Sequence, residues 1–139
     1  MVIAPALAED EEYLRGLGVG EQLKRDGDVA AAVRERHPDG VDALLDLVSY
    51  GTDAFDAYAA ALKPDGRGAS PVSAAGDRPG RTNVMAMPTP ENLERLAGLL
   101  DDGTLEVRIQ RTYGLDQAGE ALEALGSTHT QGKLALRIA

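Results

Sequence analysis

Between Gly40 and Ser49 runs Val41-Asp42-Ala43-Leu44-Leu45-Asp46-Leu47-Val48, an apolar stretch broken only by two aspartates. A strand with one solvated face alternates apolar and polar residues, whereas a nearly continuous run suits a strand covered by helices on both faces. The run therefore predicts the central strand of a mostly parallel sheet, flanked by a strand over Gly68 to Val72. Parallel strands need crossover connections, usually helices. The rest of the chain supplies that rhythm, alternating short apolar runs with segments of helical period.

Val2-Ile3-Ala4 predicts a short strand ended by Pro5, and Ala8 to Leu17 a helix. Glu9, Asp10, Glu11 and Glu12 fall in its first turn, where carboxylates complement the positive end of the helix dipole. Glu21-Gln22-Leu23 reads as a second strand, and Asp28 as the cap of a helix broken by Pro38 and Gly40. Beyond the central strand, Thr52 is expected to cap a helix carrying Ala54, Phe55, Tyr58, Ala61 and Leu62, followed by a turn at Lys63-Pro64-Asp65-Gly66. Pro71 argues against full pairing of Gly68 to Val72. Ala74 to Arg81 reads as a surface loop and Thr82 to Met87 as a further strand. Thr89 as cap and Pro90 at the first helical position open a helix through Leu93, Leu96, Leu99 and Leu100 to Gly103. Leu105 to Ile109 alternates like a half-exposed strand, and a helix over Asp116 to Leu125 and a strand over Lys133 to Ile138 close the chain.

Composition removes several function classes. The absence of cysteine excludes disulfides, thiolate zinc sites and cysteine nucleophiles, and two separated histidines give no metal-ligand spacing. No zinc is expected. With 14 Lys plus Arg against 23 Asp plus Glu, the formal charge of -9 opposes attraction to nucleic acid or anionic lipid. No apolar run approaches the roughly 18–20 residues that span a bilayer, and a cytoplasmic location is expected.

Gly16-Leu17-Gly18-Val19-Gly20 has the look of a dinucleotide loop, but it follows a helix and precedes a strand, the reverse of what that fingerprint needs. It reads as a helix stop and a turn. Asp42 and Asp46 share a strand face about 13 Å apart, given a rise of about 3.3 Å per residue, too far for paired acid–base work. Asp46 lies near the carboxyl end of its strand, where open α/β sheets bind ligands, but the preferred reading is a buried Asp capping neighbouring backbone N–H groups. His37 sits at a helix end and His129 in a polar loop; Ser49, Ser70 and Ser73 have no nucleophile motif around them. Lys24, Arg25 and Lys133 are cations at strand boundaries.

Together, Val2-Ile3-Ala4 with the acidic helix, Gly40 to Val48 leading into Ser49-Tyr50-Gly51, Leu62 to Arg67, Leu99 to Leu105, and Thr130-Gln131-Gly132-Lys133-Leu134-Ala135-Leu136 resemble the carboxy-terminal part of a medium-chain dehydrogenase/reductase. The likeness is to the zinc-free, quinone oxidoreductase-like branch and covers almost the whole chain. It implies a Rossmann-like, mostly parallel sheet lacking its first strand and helix, with Val2-Ile3-Ala4 as the second strand of the usual 3-2-1-4-5-6 order. A partial cofactor domain over residues 1–103 would be followed by a strand–helix–strand segment over 104–139, which in relatives returns to the catalytic domain. The resemblance places Val48 and Ser49 beside the cofactor ribose or nicotinamide, Ser70 to Val72 along the nicotinamide, Arg25 near the adenosine, and Lys133 in a segment closing over the cofactor. With no acidic residue ending the first strand to hold a ribose hydroxyl, it leans to NADP, while Glu11 and Glu12 oppose a 2′-phosphate. The expected activity is hydride transfer to a quinone, enone or carbonyl by the complete enzyme, with weak or no cofactor binding by this chain alone. The alternative is a non-catalytic dimerising or ligand-binding module. A homodimer through Thr82 to Met87 is expected in either case.

Overall fold

A computed structural model describes residues 1–138. The chain divides into two units, Met1–Ala86 and Met87–Ala139. The first unit opens with β1 (Ile3–Ala6), a turn of 3-10 helix over Ala8–Asp10, α1 (Glu11–Gly16) and β2 (Glu21–Lys24), the two strands pairing in parallel with Ile3 opposite Glu21 and Ala6 opposite Lys24. Pro5 does not end β1 but lies inside it, as an edge strand allows. The predicted helix over Ala8 to Leu17 splits in two, and its Glu11–Gly16 portion ends where Gly18 adopts a φ of 87°.

The crossover helix α2 (Val29–Arg36) starts as the sequence indicates: Asp28 Oδ1 accepts from the Ala31 amide at 2.9 Å. It leads to β3 (Val41–Leu45), α3 (Thr52–Ala59), β4 (Leu62–Ser70) and β5 (Arg81–Asn83), with parallel pairing in the order β3-β4-β5. β4 is therefore the middle strand of this sheet, and the strand expected at the centre, Val41 to Val48, is shorter and paired on one side only. Leu45, Leu47 and Val48 are 66%, 58% and 70% exposed. Their apolar character suits double-sided burial, but among the described residues no strand lies against the second edge of β3.

The Lys63-Pro64-Asp65-Gly66 turn forms as a bulge inside β4, because Val41 pairs with Leu62 while Ala43 pairs with Arg67. Thr52 is not the cap of α3; Gly51 takes that position with a φ of 92°, a backbone state that favours glycine. The expected strand Thr82 to Met87 shrinks to Arg81–Asn83, since the Val84 amide makes one more bond, to the Ser70 carbonyl at 2.9 Å, and the pairing stops there.

Two apolar clusters hold the first unit. Leu23, Val29, Ala30, Val33 and Ala61 form one, with Ile3, Val41 and Tyr58 packed against it. Phe55, Ala74 and Ala75 form the other, with Leu44 and Ala59 against it. The chain's single Phe is fully buried, and its ring lies where a Cβ on Gly68 would stand 2.7 Å from Cζ.

The second unit contains α4 (Pro90–Asp101), capped by Thr89 Oγ1 accepting from the Asn92 amide at 3.2 Å, then β6 (Ile109–Gly114), a 3-10 turn over Leu115–Gln117, α5 (Ala118–Ser127) and β7 (Lys133–Arg137). β6 and β7 pair in parallel with α5 as the crossover. The strand expected at Leu105 to Ile109 begins only at Ile109, and its anchor is Tyr113, 4% exposed with the Arg111 guanidinium 4.5 Å from its ring centre.

Candidate functional site

In a parallel sheet all strands end at the same edge, so the loops that follow their carboxyl ends converge there. In the first unit this brings together the turn after β3, the loop after β4 and the segment after β5. Polar side chains at the strand ends pin the first two: Asp46 the turn after β3, and Ser70 and Asn83 the loop after β4. After β3, Asp46 donates its backbone N–H to the Ala69 carbonyl at 2.9 Å, and its Oδ1 accepts from the Val48 and Ser49 amides, each at 3.0 Å. The turn this makes leaves Ser49 6% exposed and Val48 pointing outward. After β4, the fully buried Ser70 hydroxyl accepts from the Val72 and Ala74 amides, both at 3.2 Å, and Ser73 adopts a φ of 61°. After β5, Asn83 Oδ1 accepts from the Ala75 amide at 3.0 Å, and its Nδ2 donates to the Gly76 carbonyl at 3.1 Å.

The Ser70 loop is further tied to α3. Arg81 pairs with Asp56, donates to the Ala75 carbonyl at 3.2 Å and lies 5.0 Å from the centre of the Phe55 ring. Arg78 joins the same carboxylate at 3.1 Å. A network of charge-assisted bonds of this kind holds a loop far better than its sequence alone would.

The Asp46 carboxylate is the least satisfied group of this edge. It is 4% exposed, and Oδ2 is buried with no partner among the described residues. Burial pushes its pKa up, but the Ser49 side chain and the Val48 and Ser49 amides outweigh that and hold it below its ordinary value of 3.8. A carboxylate lowered in this way stabilises the fold above its ordinary pKa, and the contribution disappears as the pH falls through the lowered one. Asp46→Asn is thus expected to melt below the native chain near neutral pH, with the gap closing as the pH drops under 3.8. Thermal melts of both proteins across that range check it, and a gap independent of pH contradicts it.

Of the residues singled out in the sequence, Val48, Ser49, Ser70 and Val72 do gather at this edge, with Val72 38% exposed, the Ser49 N–H donating to Asp46 Oδ1 and the Ser70 hydroxyl accepting from the Val72 amide. Arg25 follows β2 at the end of the other strand pair, its backbone N–H reaching the Ala6 carbonyl at 3.3 Å. Lys133 starts β7 in the second unit, bonded through its backbone N–H to the Arg108 carbonyl at 2.9 Å. Asn83 was not singled out by sequence reasoning. The signal available was an amide side chain at a strand end, opposite a glycine-containing loop. A cavity of about 350 Å³ lies elsewhere, between α1 and the β1–β2 pair, lined among others by Leu14, Arg15, Gln22 and Lys24. Its Arg15 is paired with Glu11.

A model of the zinc-binding dehydrogenase family matches residues 17–136, well over half of the chain. The chain belongs to this family. Among solved structures, the quinone oxidoreductase from Coxiella burnetii matches all of this chain over 45% of its own length, at 26% identity and a TM-score of 0.79. An NAD-dependent alcohol dehydrogenase matches 99% of this chain over 44% of its own, at 22% identity and a TM-score of 0.76. A 2-haloacrylate reductase matches 99% over 50%, at 24% and 0.67. The last two likenesses concern the fold alone. This chain spans about half the length of the solved structures it matches. No curated protein matches it.

The metal in the family's description does not fit the residues present. There is no cysteine. Among the described residues, no group of three or more His, Cys, Asp or Glu is gathered to hold an ion. His37 Nε2 is bonded to Glu21 at 2.8 Å. No helix among the described residues is long and apolar enough to cross a membrane.

Proposed function

We propose that this chain is the cofactor-domain portion of an NADP-dependent oxidoreductase that reduces a quinone, enone or carbonyl, and that it is inactive alone. The observation that carries this reading is the edge at which Asp46 pins the turn after β3 and Ser70 and Asn83 pin the loop after β4, in a chain 26% identical over its whole length to a quinone oxidoreductase. When bound, the nicotinamide supplies hydride; the protein's part is to orient it and exclude competing reactions. Val48, Ser49, Ser70 and Val72 would hold its nicotinamide side, and Arg25 would lie near its adenosine. The preference for NADP rests on the end of β1, where Ala6-Leu7 offers no carboxylate to a ribose hydroxyl.

The pyrophosphate is the weak point. Its affinity in such folds comes largely from a glycine turn feeding a helix N-terminus, and the cluster from Gly16 to Gly20 instead joins α1 to β2. The same feature favours the second reading, a non-catalytic ligand-binding or dimerising module. In both, a homodimer pairs Thr82 to Met87 with its symmetry mate beside β5, light scattering reading whether the chain is dimeric at all, and the protein resides in the cytoplasm. Calorimetry with NADPH is expected to give a dissociation constant above about 10 μM, weaker than roughly 7 kcal/mol. A tighter constant shows that a pocket survives without the glycine turn, and a preference for NADH overturns NADP.

A further inference from the structure

An aspartate followed by glycine is the pair at which a chain most readily rearranges its own backbone, because glycine has no Cβ to keep the preceding carboxyl away from its amide nitrogen. The pair stands at four places here: Asp26-Gly27, Asp39-Gly40, Asp65-Gly66 and Asp102-Gly103. The fold treats them differently. We propose that Asp26-Gly27, in the turn between β2 and α2, is a site of isoaspartyl formation, and that the structure protects the other three.

The reaction needs an amide nitrogen free to attack and a backbone free to bend. The Gly27 nitrogen bonds to Cγ of the Asp26 carboxylic acid, the amide proton and the carboxyl hydroxyl leave as water, and a succinimide ring closes. Water then opens the ring. Addition at Cγ restores aspartate, whereas addition at the main-chain carbonyl carbon breaks its bond to the Gly27 nitrogen and leaves the chain running through Cγ. No oxidant, reductant or other co-reactant enters.

Asp26 and Gly27 are both exposed, and no atom lies within 4 Å of where a Cβ on Gly27 would stand. Among the described residues no hydrogen bond holds the Gly27 amide. Each of the other three pairs lacks a requirement. The Gly40 N–H donates to the His37 carbonyl at 2.8 Å, and the Ala61 carbonyl oxygen would stand 2.6 Å from a Cβ there. Gly66 lies inside β4, its Cβ position 3.0 Å from the Lys63 carbonyl oxygen and 3.1 Å from the Lys63 amide nitrogen. The Gly103 N–H donates to the Leu100 carbonyl at 3.2 Å, and Asp102 Oδ1 accepts from the Thr104 amide at 2.8 Å. Bonding to Thr104 also holds the Asp102 carboxyl below its ordinary value of 3.8, away from the neutral form that closes the ring.

The turn joins two fixed ends. Leu23 before it and Val29 after it are buried in the same cluster. Between them, the Arg25 N–H donates to the Ala6 carbonyl at 3.3 Å, and Asp28 Oδ1 accepts from the Ala31 amide at 2.9 Å to open α2. An isoaspartyl linkage puts one extra backbone carbon between these two bonds, and the exposed cap gives way before the buried cluster does. The inference rests on this turn and not on cofactor binding, so its failure leaves the proposed function standing.

The test ages the whole chain in warm heavy-oxygen water at neutral pH and maps its peptides by mass spectrometry, since each passage through a succinimide leaves one heavy oxygen in the carboxyl. Asp26 is expected to take up label several-fold faster than Asp39, Asp65 and Asp102, and in concentrated urea all four are expected to label alike. Asp26→Glu, whose longer side chain does not close the same ring, is expected to remove the label at that position alone. In the isoaspartyl fraction, amide exchange at Ala31 is expected to rise about fivefold, as for a lost helix cap. No label at Asp26 in the folded chain, or label at any of the other three as fast as at Asp26, overturns the site. The same ranking in urea as in the folded chain overturns the protection by the fold, and unchanged exchange at Ala31 overturns the strain on the cap.

Discussion

Phe55→Ala is expected to lower the unfolding free energy by about 3–5 kcal/mol, the largest loss from any single truncation in the first unit. The ring is fully buried and stands between Gly68 of β4, Ala74 and Ala75 of the following loop, and the Arg81 guanidinium. Its removal leaves a cavity that small neighbours cannot refill, and it frees the loop after Ser70. Phe55→Leu keeps much of the volume and is expected to cost less. Because a Cβ at Gly68 would stand 2.7 Å from Cζ of the ring, Gly68→Ala destabilises the native chain but is tolerated in the Phe55→Ala background. Urea unfolding of the two single variants and the double variant reads this coupling, and strict additivity contradicts the packing described.

Gly40→Ala is expected to destabilise by about 2–5 kcal/mol, through two causes that add. Gly40 has a φ of 86°, where a residue bearing a Cβ is strained by roughly 1–2 kcal/mol. A Cβ there would also meet the Ala61 carbonyl oxygen at 2.6 Å, and overpacking of this kind costs about 1–3 kcal/mol. That carbonyl accepts from the Val41 amide at 2.9 Å, so moving it opens the first bond between β3 and β4. Thermal or denaturant unfolding checks the magnitude. A loss under about 0.5 kcal/mol, the range of ordinary surface changes, contradicts the geometry of this turn.

Local chemistry was the legible part of the sequence. Asp28 and Thr89 cap their helices as their positions indicate, because a cap needs only its own neighbours. Lys63 to Gly66 also turns, but its apparent end of strand is a bulge, since the pairing with β3 resumes on the far side at Arg67. What depends on distant partners was harder to read. The run Val41 to Val48 carries the composition of a strand buried on both faces, yet among the described residues it pairs along one edge and leaves Leu45, Leu47 and Val48 exposed. β6 was displaced from Leu105 to Ile109 because its own residues, Gln110, Arg111 and Thr112, are polar and exposed, and one buried Tyr113 holds it.

The candidate site divides in the same way. Ser49 and Ser70 stood out by their place after strands, and they meet at one edge because parallel strands end together. Asn83 escaped notice since its value lies in two bonds to a loop eight and seven residues earlier in the chain. Arg25 and Lys133 are legible only as cations beside strands, and in the fold their backbone N–H groups bond the Ala6 and Arg108 carbonyls.

If the proposed function holds, the ends of β3 and β4 form a nicotinamide-binding edge. The most direct measurement is an amide-resolved NMR titration of the full chain with NADPH, run into the millimolar range. The account predicts that shift changes concentrate in Asp46 to Gly51 and Ser70 to Ser73. Changes confined to the cavity beside α1, or none at these two loops at saturating NADPH, would contradict it.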